Sequence, residues 1–217
     1  MEEKLKKYSV FINEFTKLLG GFFEDQKEFI KCTTGCSRCC TTGYYPITEV
    51  EYEFLKTGFN KLEKEKQDII RQYCLDLYKK RKIFRKEGGE LLKFSYQCPF
   101  LFNDLCSVYD NRAIICRTHG LMSLSIKGGN NFNIPTCVHV GLNYANIWDN
   151  EIKGFSPEKA MALNIKHEPK GFPIGYESVL ENLEYIGMGD IRMLFEWILM
   201  DIPDYQKHLD EINKNLE

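Results

Sequence analysis

The chemistry in this sequence is concentrated in its cysteines. Cys32, Cys36, Cys39 and Cys40 fall within nine residues, Cys98, Cys106, Cys116 and Cys137 follow, and Cys74 stands alone between the two groups. Thiolates bind soft and borderline metals, and one tight turn can aim several of them at one centre. Cys36-x2-Cys39 is a turn of that kind, which Cys32 extends and to which Cys40 adds a fourth thiol. Neighbouring side chains diverge by about 100° on a helix and about 180° on a strand. Cys39 and Cys40 are therefore expected to serve different centres, or different metals of one cluster. Each centre is expected to draw ligands from both groups.

The surrounding charge suits an anionic centre. Between Lys31 and Tyr45 the charged residues are Lys31 and Arg38, and from Asn111 to Trp148 they are Arg112, Arg117 and Lys127, with no Asp or Glu in either stretch. Four thiolates on a divalent ion leave a charge of about −2, and nearby cations lower that cost. Arg38 and Arg117 directly adjoin cysteines and are the candidates to stabilise a bound cofactor. His119 and His139, near Cys116 and Cys137, either complete a centre or hydrogen-bond beside one. His167 and His208 read as solvent-facing.

The second group has successive spacings of eight, ten and twenty-one residues, so it contains no second zinc knuckle. Scattered single ligands suit a polynuclear iron–sulfur cluster, whose corners can be reached from separate loops. Cys32-x3-Cys36-x2-Cys39 also has the ligand spacing of radical S-adenosylmethionine enzymes, but the strand–helix alternation of their parallel barrel is missing.

Cys98-Pro99-Phe100-Leu101-x4-Cys106-x-Val108-Tyr109-x2-Arg112-x3-Cys116-Arg117 resembles the second motif of the CxxCxxCC family, the YkgJ-type zinc- or iron-chelating cysteine-cluster proteins. Cys36-Ser-Arg-Cys39-Cys40, preceded by Cys32, resembles the first motif, and the likeness covers roughly residues 32–137. Two positions depart from the family pattern: the first pair is Cys-x3-Cys, and Ala113 stands where proline usually follows the arginine. The resemblance implies eight metal-binding cysteines, Cys32, Cys36, Cys39, Cys40, Cys98, Cys106, Cys116 and Cys137, which is every cysteine except Cys74. It names neither the metal nor a reaction. The flagellin lysine N-methylases, which are larger, are similar in carrying such a cluster.

The elements that must position these residues are mostly helical. Leu5, Tyr8, Ile12, Phe15 and Leu19 form one face of a helix over 4–19, which Gly20-Gly21 should end before a short helix at 22–31. Thr48 and Glu51 form a capping box for a helix over 48–56, stopped by Gly58. Asn60 should cap a long charged helix to Lys86, burying Ile69, Tyr73 and Leu77 with Ile70 and Cys74 beside them. Strands are expected at 91–96 and 105–109 around Asn103-Asp104, then a helix capped by Asp110 and carrying Arg112, Cys116 and Arg117. A hairpin over 121–126 and 131–135 should turn at 127–130. Ser156-Pro157-Glu158 opens a helix at 157–166, and further helices are expected at 177–186, 190–201 and 204–216. The fold class expected is mainly α with a small cysteine-rich α+β centre. One domain should span 1–217, with the cluster region at about 32–140 between helical flanks at 1–31 and 156–217.

Composition bounds the function. In 217 residues, 29 Lys+Arg face 31 Asp+Glu for a net charge of −2, and hydrophobic residues make up 43%. That is too apolar for a disordered chain and too balanced for bulk nucleic-acid attraction. No run approaches the roughly 20 apolar residues of a membrane span. The start, MEEKLKKYSV, lacks the apolar core of a secretory signal, and an odd cysteine count argues against a disulfide scaffold. The expectation is a cytoplasmic metal-binding protein without nucleic-acid or membrane partners. Its multi-cysteine centre would hold iron–sulfur clusters used in redox or cluster-assisted modification of a small-molecule or protein substrate. The alternatives are a zinc-stapled structural or interaction module, and a radical-SAM-like or methylase-like enzyme.

Overall fold

The computed structural model describes residues 1–33, 35–124, 132–172 and 176–214. The first helix, α1 (Glu2–Asp25), buries Tyr8, Ile12, Phe15, Leu19 and Phe22 along one stripe. It runs straight through Gly20-Gly21, against expectation, and replaces the separate helix anticipated at 22–31. Two helical glycines cost about 1 kcal/mol each relative to alanine. Phe22 offsets that cost by continuing the stripe, its ring 5.2 Å from Phe172.

A single turn, α2 (Arg38–Thr41), and a short strand, β1 (Pro46–Thr48), lead to α3 (Glu49–Phe59). The capping box is present: Glu51 N donates to Thr48 Oγ1 and Thr48 N donates to Glu51 Oε2. The helix ends at Phe59, one residue past Gly58. The missing side chain of Gly58 admits Asn111, whose amide donates to Phe54 O at 3.1 Å and Thr57 Oγ1 at 2.8 Å; a Cβ at Gly58 would lie 2.7 Å from Asn111 Oδ1.

The long charged helix is α4 (Lys64–Lys86), starting later than Asn60 and capped at Glu63 without a side-chain hydrogen bond. Its buried stripe is Ile70, Cys74 and Leu77, whereas Ile69 is 50% exposed. Periodicity allowed two faces one residue apart, and packing against the penultimate helix selected between them.

The expected strand at 91–96 is a 3-10 turn at Leu91–Lys93, and 105–109 contributes only a two-residue strand. A small hairpin, β2 (Leu101–Phe102) with β3 (Leu105–Cys106), turns at Asn103-Asp104, both with positive φ. Asp110 lies in a second 3-10 turn, Tyr109–Asn111, and caps no α-helix. The helix there, α5 (Ile114–Thr118), begins after Arg112 and carries Cys116 and Arg117. A ladder of β4 (Ser123–Leu124) with β5 (Phe132–Asn133) lies where the hairpin was expected, and its turn at 127–130 is outside the described residues. Cys137 lies in a 3-10 turn, Thr136–Val140.

Beyond it come the hairpin β6 (Trp148–Asp149) with β7 (Gly154–Phe155), then α6 (Pro157–Ala162), with Ser156 Oγ accepting from Lys159 N as its N-cap. α7 (Tyr176–Ile186) follows. The segment expected as one helix at 190–201 divides into β8 (Ile191–Met193) and α8 (Leu194–Met200), because β8 pairs antiparallel with β1. The last helix is α9 (Tyr205–Lys214). The architecture is mainly α with small two-stranded ladders, as expected. Each ladder is antiparallel, unlike a parallel βα barrel.

Two hydrophobic clusters form the interior. One joins α3, α4 and α8 through Phe59, Ile70, Leu77, Phe100, Phe195 and Ile198. The other packs α1 and α7 against Phe29, Met122, Tyr144 and Phe172. Among the described residues, no helix is long and apolar enough to cross a membrane.

Candidate metal centre

The cysteine groups, distant in sequence, are brought together by backbone pairing around α2. Gly43 and Tyr96 exchange N–H···O bonds at 3.0 Å each, and Cys98 N donates to Cys40 O at 2.8 Å. Ser37 Oγ donates to Asp104 Oδ1 at 2.7 Å, which ties the N-cap of α2 to the hairpin bearing Cys106. The buried Tyr45 hydroxyl donates to Cys39 O at 2.6 Å and fixes the turn from below. On the other side, Lys31 N donates to Asn143 Oδ1 at 2.6 Å, joining Cys32 to the loop that follows Cys137.

Two thiol neighbourhoods result. Cys32, Cys36, Cys39 and Cys137 line an open cleft of about 330 Å³, together with Arg38 and His119. Cys32 and Cys36 are exposed residues. Cys40, Cys98, Cys106 and Cys116 instead belong to the α3–α4–α8 core, where Cys98 is buried and the other three pack against it. The thiols within each neighbourhood feel one another. Cys40 is raised first by its contact with Cys39 and by burial, then by Cys98 and Cys116. Cys106 adds to the burial that raises Cys116, and Cys32 and Cys36 add to the burial that raises Cys137. Cys39 stands between the sets, acting on Cys32 on one side and on Cys40, Cys106 and Cys116 on the other. Cys74, fully buried in the α4 stripe, shares the α3–α4–α8 core and acts weakly on Cys98, but does not line the cleft.

The vicinal pair differs from expectation in one respect. Cys39 and Cys40 Sγ are 3.9 Å apart, rather than pointing to opposite sides. The angle of about 100° between helical neighbours is set at Cβ, and the sulfurs, one bond further out, turn toward each other. Their surroundings still diverge, one facing the cleft and the other the core.

Burial sets the thiol electrostatics. Desolvation pushes Cys116 up to about 12 and Cys137 up to about 11, since a thiolate is costly away from water. Cys39 is lowered, first by the hydrogen bond from Cys40 and then, beyond the opposing effect of burial, by His119 and Arg112. Cys32 is exposed as a residue, but its sulfur turns inward and is raised by desolvation, against which the Asn143 amide acts.

The sequence-selected cations occupy different roles. Arg38 is exposed at the cleft. Arg117 spends its guanidinium on Arg112 O, Asp110 O and Thr16 Oγ1, tying α5 to α1. Arg112, one of the cations of the acid-free stretch, lowers Cys39 and works against the burial that raises Cys106 and Cys116; Arg117 adds to this at Cys106. Arg112 is aimed by stacking on Tyr109, 3.5 Å from the ring centroid, and by donating to Tyr109 O. Asn143 was missed altogether. It is fully buried, donates to Cys32 Sγ at 3.0 Å and to Gly120 O at 2.7 Å, and carries no motif that could have marked it. Gly120 adopts φ +87°, and a Cβ there would lie 2.9 Å from Asn143 Nδ2 and 3.2 Å from Cys32 Sγ. His119 faces the cleft, with Nδ1 3.1 Å from Ile115 O. His139 is exposed and packs edge-on against Trp148.

The donors fit a metal that prefers sulfur: thiols held from several loops, a cation beside them, and no carboxylate lining the cleft. Among the described residues, no three Cys, His, Asp or Glu side chains form a ring that could grip one ion. Neither a curated protein nor a solved structure matches the chain. The sequence model of the CxxCxxCC family, described as a "Putative zinc- or iron-chelating domain", matches residues 31–138, the stretch that holds every cysteine of both groups. Through that segment the chain belongs to the CxxCxxCC family.

Proposed function

We propose that the chain holds two four-thiolate centres, each drawing on both cysteine groups. Cys32, Cys36, Cys39 and Cys137 would form the one in the cleft, and Cys40, Cys98, Cys106 and Cys116 the one in the core. The observation that carries this reading is the partition of eight cysteines around a single turn, one set lining a cleft and the other packed in the core. Membership of a zinc- or iron-chelating family supports metal binding.

Iron–sulfur clusters are the loading this reading favours, because ligands arrive singly from separate loops rather than as paired knuckles. Bound there, a cluster would supply electron transfer, or activation of a small-molecule or protein substrate. This chain's own residues set the conditions. Asn143 steadies the Cys32 sulfur, Arg112 offsets thiolate charge, and the α3–α4–α8 core shields the second set from water. Free thiols and a balanced charge suit a reducing compartment, the cytoplasm.

A zinc staple is the second reading, favoured for the inner set by its place in a hydrophobic core. Purification without oxygen decides between them. Iron–sulfur protein is brown, carries iron and acid-labile sulfide in near-equal amounts, and bleaches in air. Colourless anaerobic protein with stoichiometric zinc and no sulfide would establish the structural module instead. Protein with neither metal would overturn both.

A further inference from the structure

Beside the thiol cleft lies a second cavity, of about 260 Å³. Phe15 of α1, Ile47 of β1, Ile114 of α5, Phe172 and Leu183 of α7 enclose it, and each is less than one-tenth exposed. The polar pair on its wall is already occupied. Glu51 Oε2 accepts from Thr48 N and Thr48 Oγ1 at 2.9 Å each, and Oε1 accepts from Ile114 N at 3.0 Å. Thr118 Oγ1 likewise donates to Ile114 O at 3.1 Å, so an occupant would meet mainly hydrocarbon, with Ser123 at the rim.

Protein interiors pack to crystal density, and voids larger than a water are few. An apolar cavity of about 150 Å³ is enough to take benzene, and small-molecule sites begin near 300 Å³. At roughly 30 Å³ per water-sized group, the cavity admits a chain or ring of about nine non-hydrogen atoms.

Its position relates it to the cysteines. Ile115, Thr118, Leu121 and Ser123 line both the cavity and the thiol cleft. Ser123 is one of the exposed residues on the cavity wall, so the two spaces meet at a common rim. The cleft side of that rim offers Arg38 and His119 and no acid.

We propose that the cavity binds the apolar part of a small amphiphilic ligand, whose neutral or anionic polar end lies in the thiol cleft. The proposal rests on the cleft being the metal-facing site. It gives the proposed centre a substrate class: a molecule with a short aliphatic or aromatic tail of about nine atoms.

Equilibrium dialysis of the protein as purified without oxygen, against radiolabelled octanol, octanoate and acetate, tests it. Octanol and octanoate should saturate at one per chain, and acetate should not bind. Leu180→Trp, at a half-buried wall position of α7, should weaken both by at least about tenfold with metal content unchanged. Val179→Phe gives the same readout where the first variant folds poorly. Absence of saturable binding, or an equal loss in Ile69→Trp on the exposed side of α4, would overturn the proposal. Metal content is read separately on each sample. Protein that binds octanol but holds no metal sinks the two-centre reading while supporting the cavity as a site.

Discussion

Asn143 and Cys32, 111 positions apart, are joined by an amide donating to the sulfur at 3.0 Å. The same amide donates to Gly120 O, and its carbonyl oxygen accepts from Lys31 N. One buried side chain thus sets the orientation of a thiol, the loop before it and the turn after α5.

Replacing that donor should loosen the cleft centre. Asn143→Asp puts a carboxylate against the thiolate and removes the N–H. Groups that orient metal ligands typically contribute about 10–100-fold in metal affinity. A loss of that size is expected for the cleft centre, measured by chelator competition, with the inner centre retained. Unchanged release kinetics for both centres would show that Asn143 plays no part in ligation.

The partition predicts independent losses. Cys137→Ser and Cys98→Ser should each remove about half of the bound metal, and together nearly all of it. Metal analysis of the three proteins reads this directly. Full loss from either single change would mean one shared centre.

Cys74→Ala should keep full metal occupancy. Cys74 packs with Ile70 and Leu77 in the α4 stripe and is fully buried. Little volume is lost, so the cost should be about 1 kcal/mol by urea denaturation. Metal reduced by a ligand's share would put Cys74 among the ligands.

Arg112 and Arg117 should separate cleanly. Arg112→Leu removes a cation that favours the thiolates of Cys39, Cys106 and Cys116 against the cost of burial, so metal affinity should fall by about tenfold. Arg117→Lys cannot keep three hydrogen bonds from one fork, so it should cost about 2 kcal/mol of stability with metal affinity held. The opposite assignment of effects would reverse their roles.

Glu51→Ala should unfix α5. Glu51 closes the capping box at Thr48 and accepts from Ile114 N at the start of the helix carrying Cys116. Losing a cap and leaving buried N–H groups unpaired should cost about 2–3 kcal/mol, read by urea denaturation. A change under about 0.5 kcal/mol would show the anchor to be dispensable.

Local signals in the sequence determined the fold class, the Thr48–Glu51 capping box, the Ser156 cap, the Asn103-Asp104 turn and the cysteine motifs that define the family. Each depends on residues a few positions apart, whose chemistry is the same wherever the segment lies. Tertiary structure decided the rest. Gly20-Gly21 stayed helical because Phe22 found a partner far along the chain, in Phe172. Residues 191–193 became a strand because β1 was there to pair with. The stripe on α4 fell on Ile70 rather than Ile69 because the periodic pattern fits both and only packing distinguishes them. The division of eight thiols into a cleft set and a core set, and the choice of Asn143 and Arg112 as their partners, rest on contacts between segments up to about a hundred residues apart. No local pattern encodes such contacts, since they form only when backbone pairing at Gly43–Tyr96 and Cys40–Cys98 closes the loops between them.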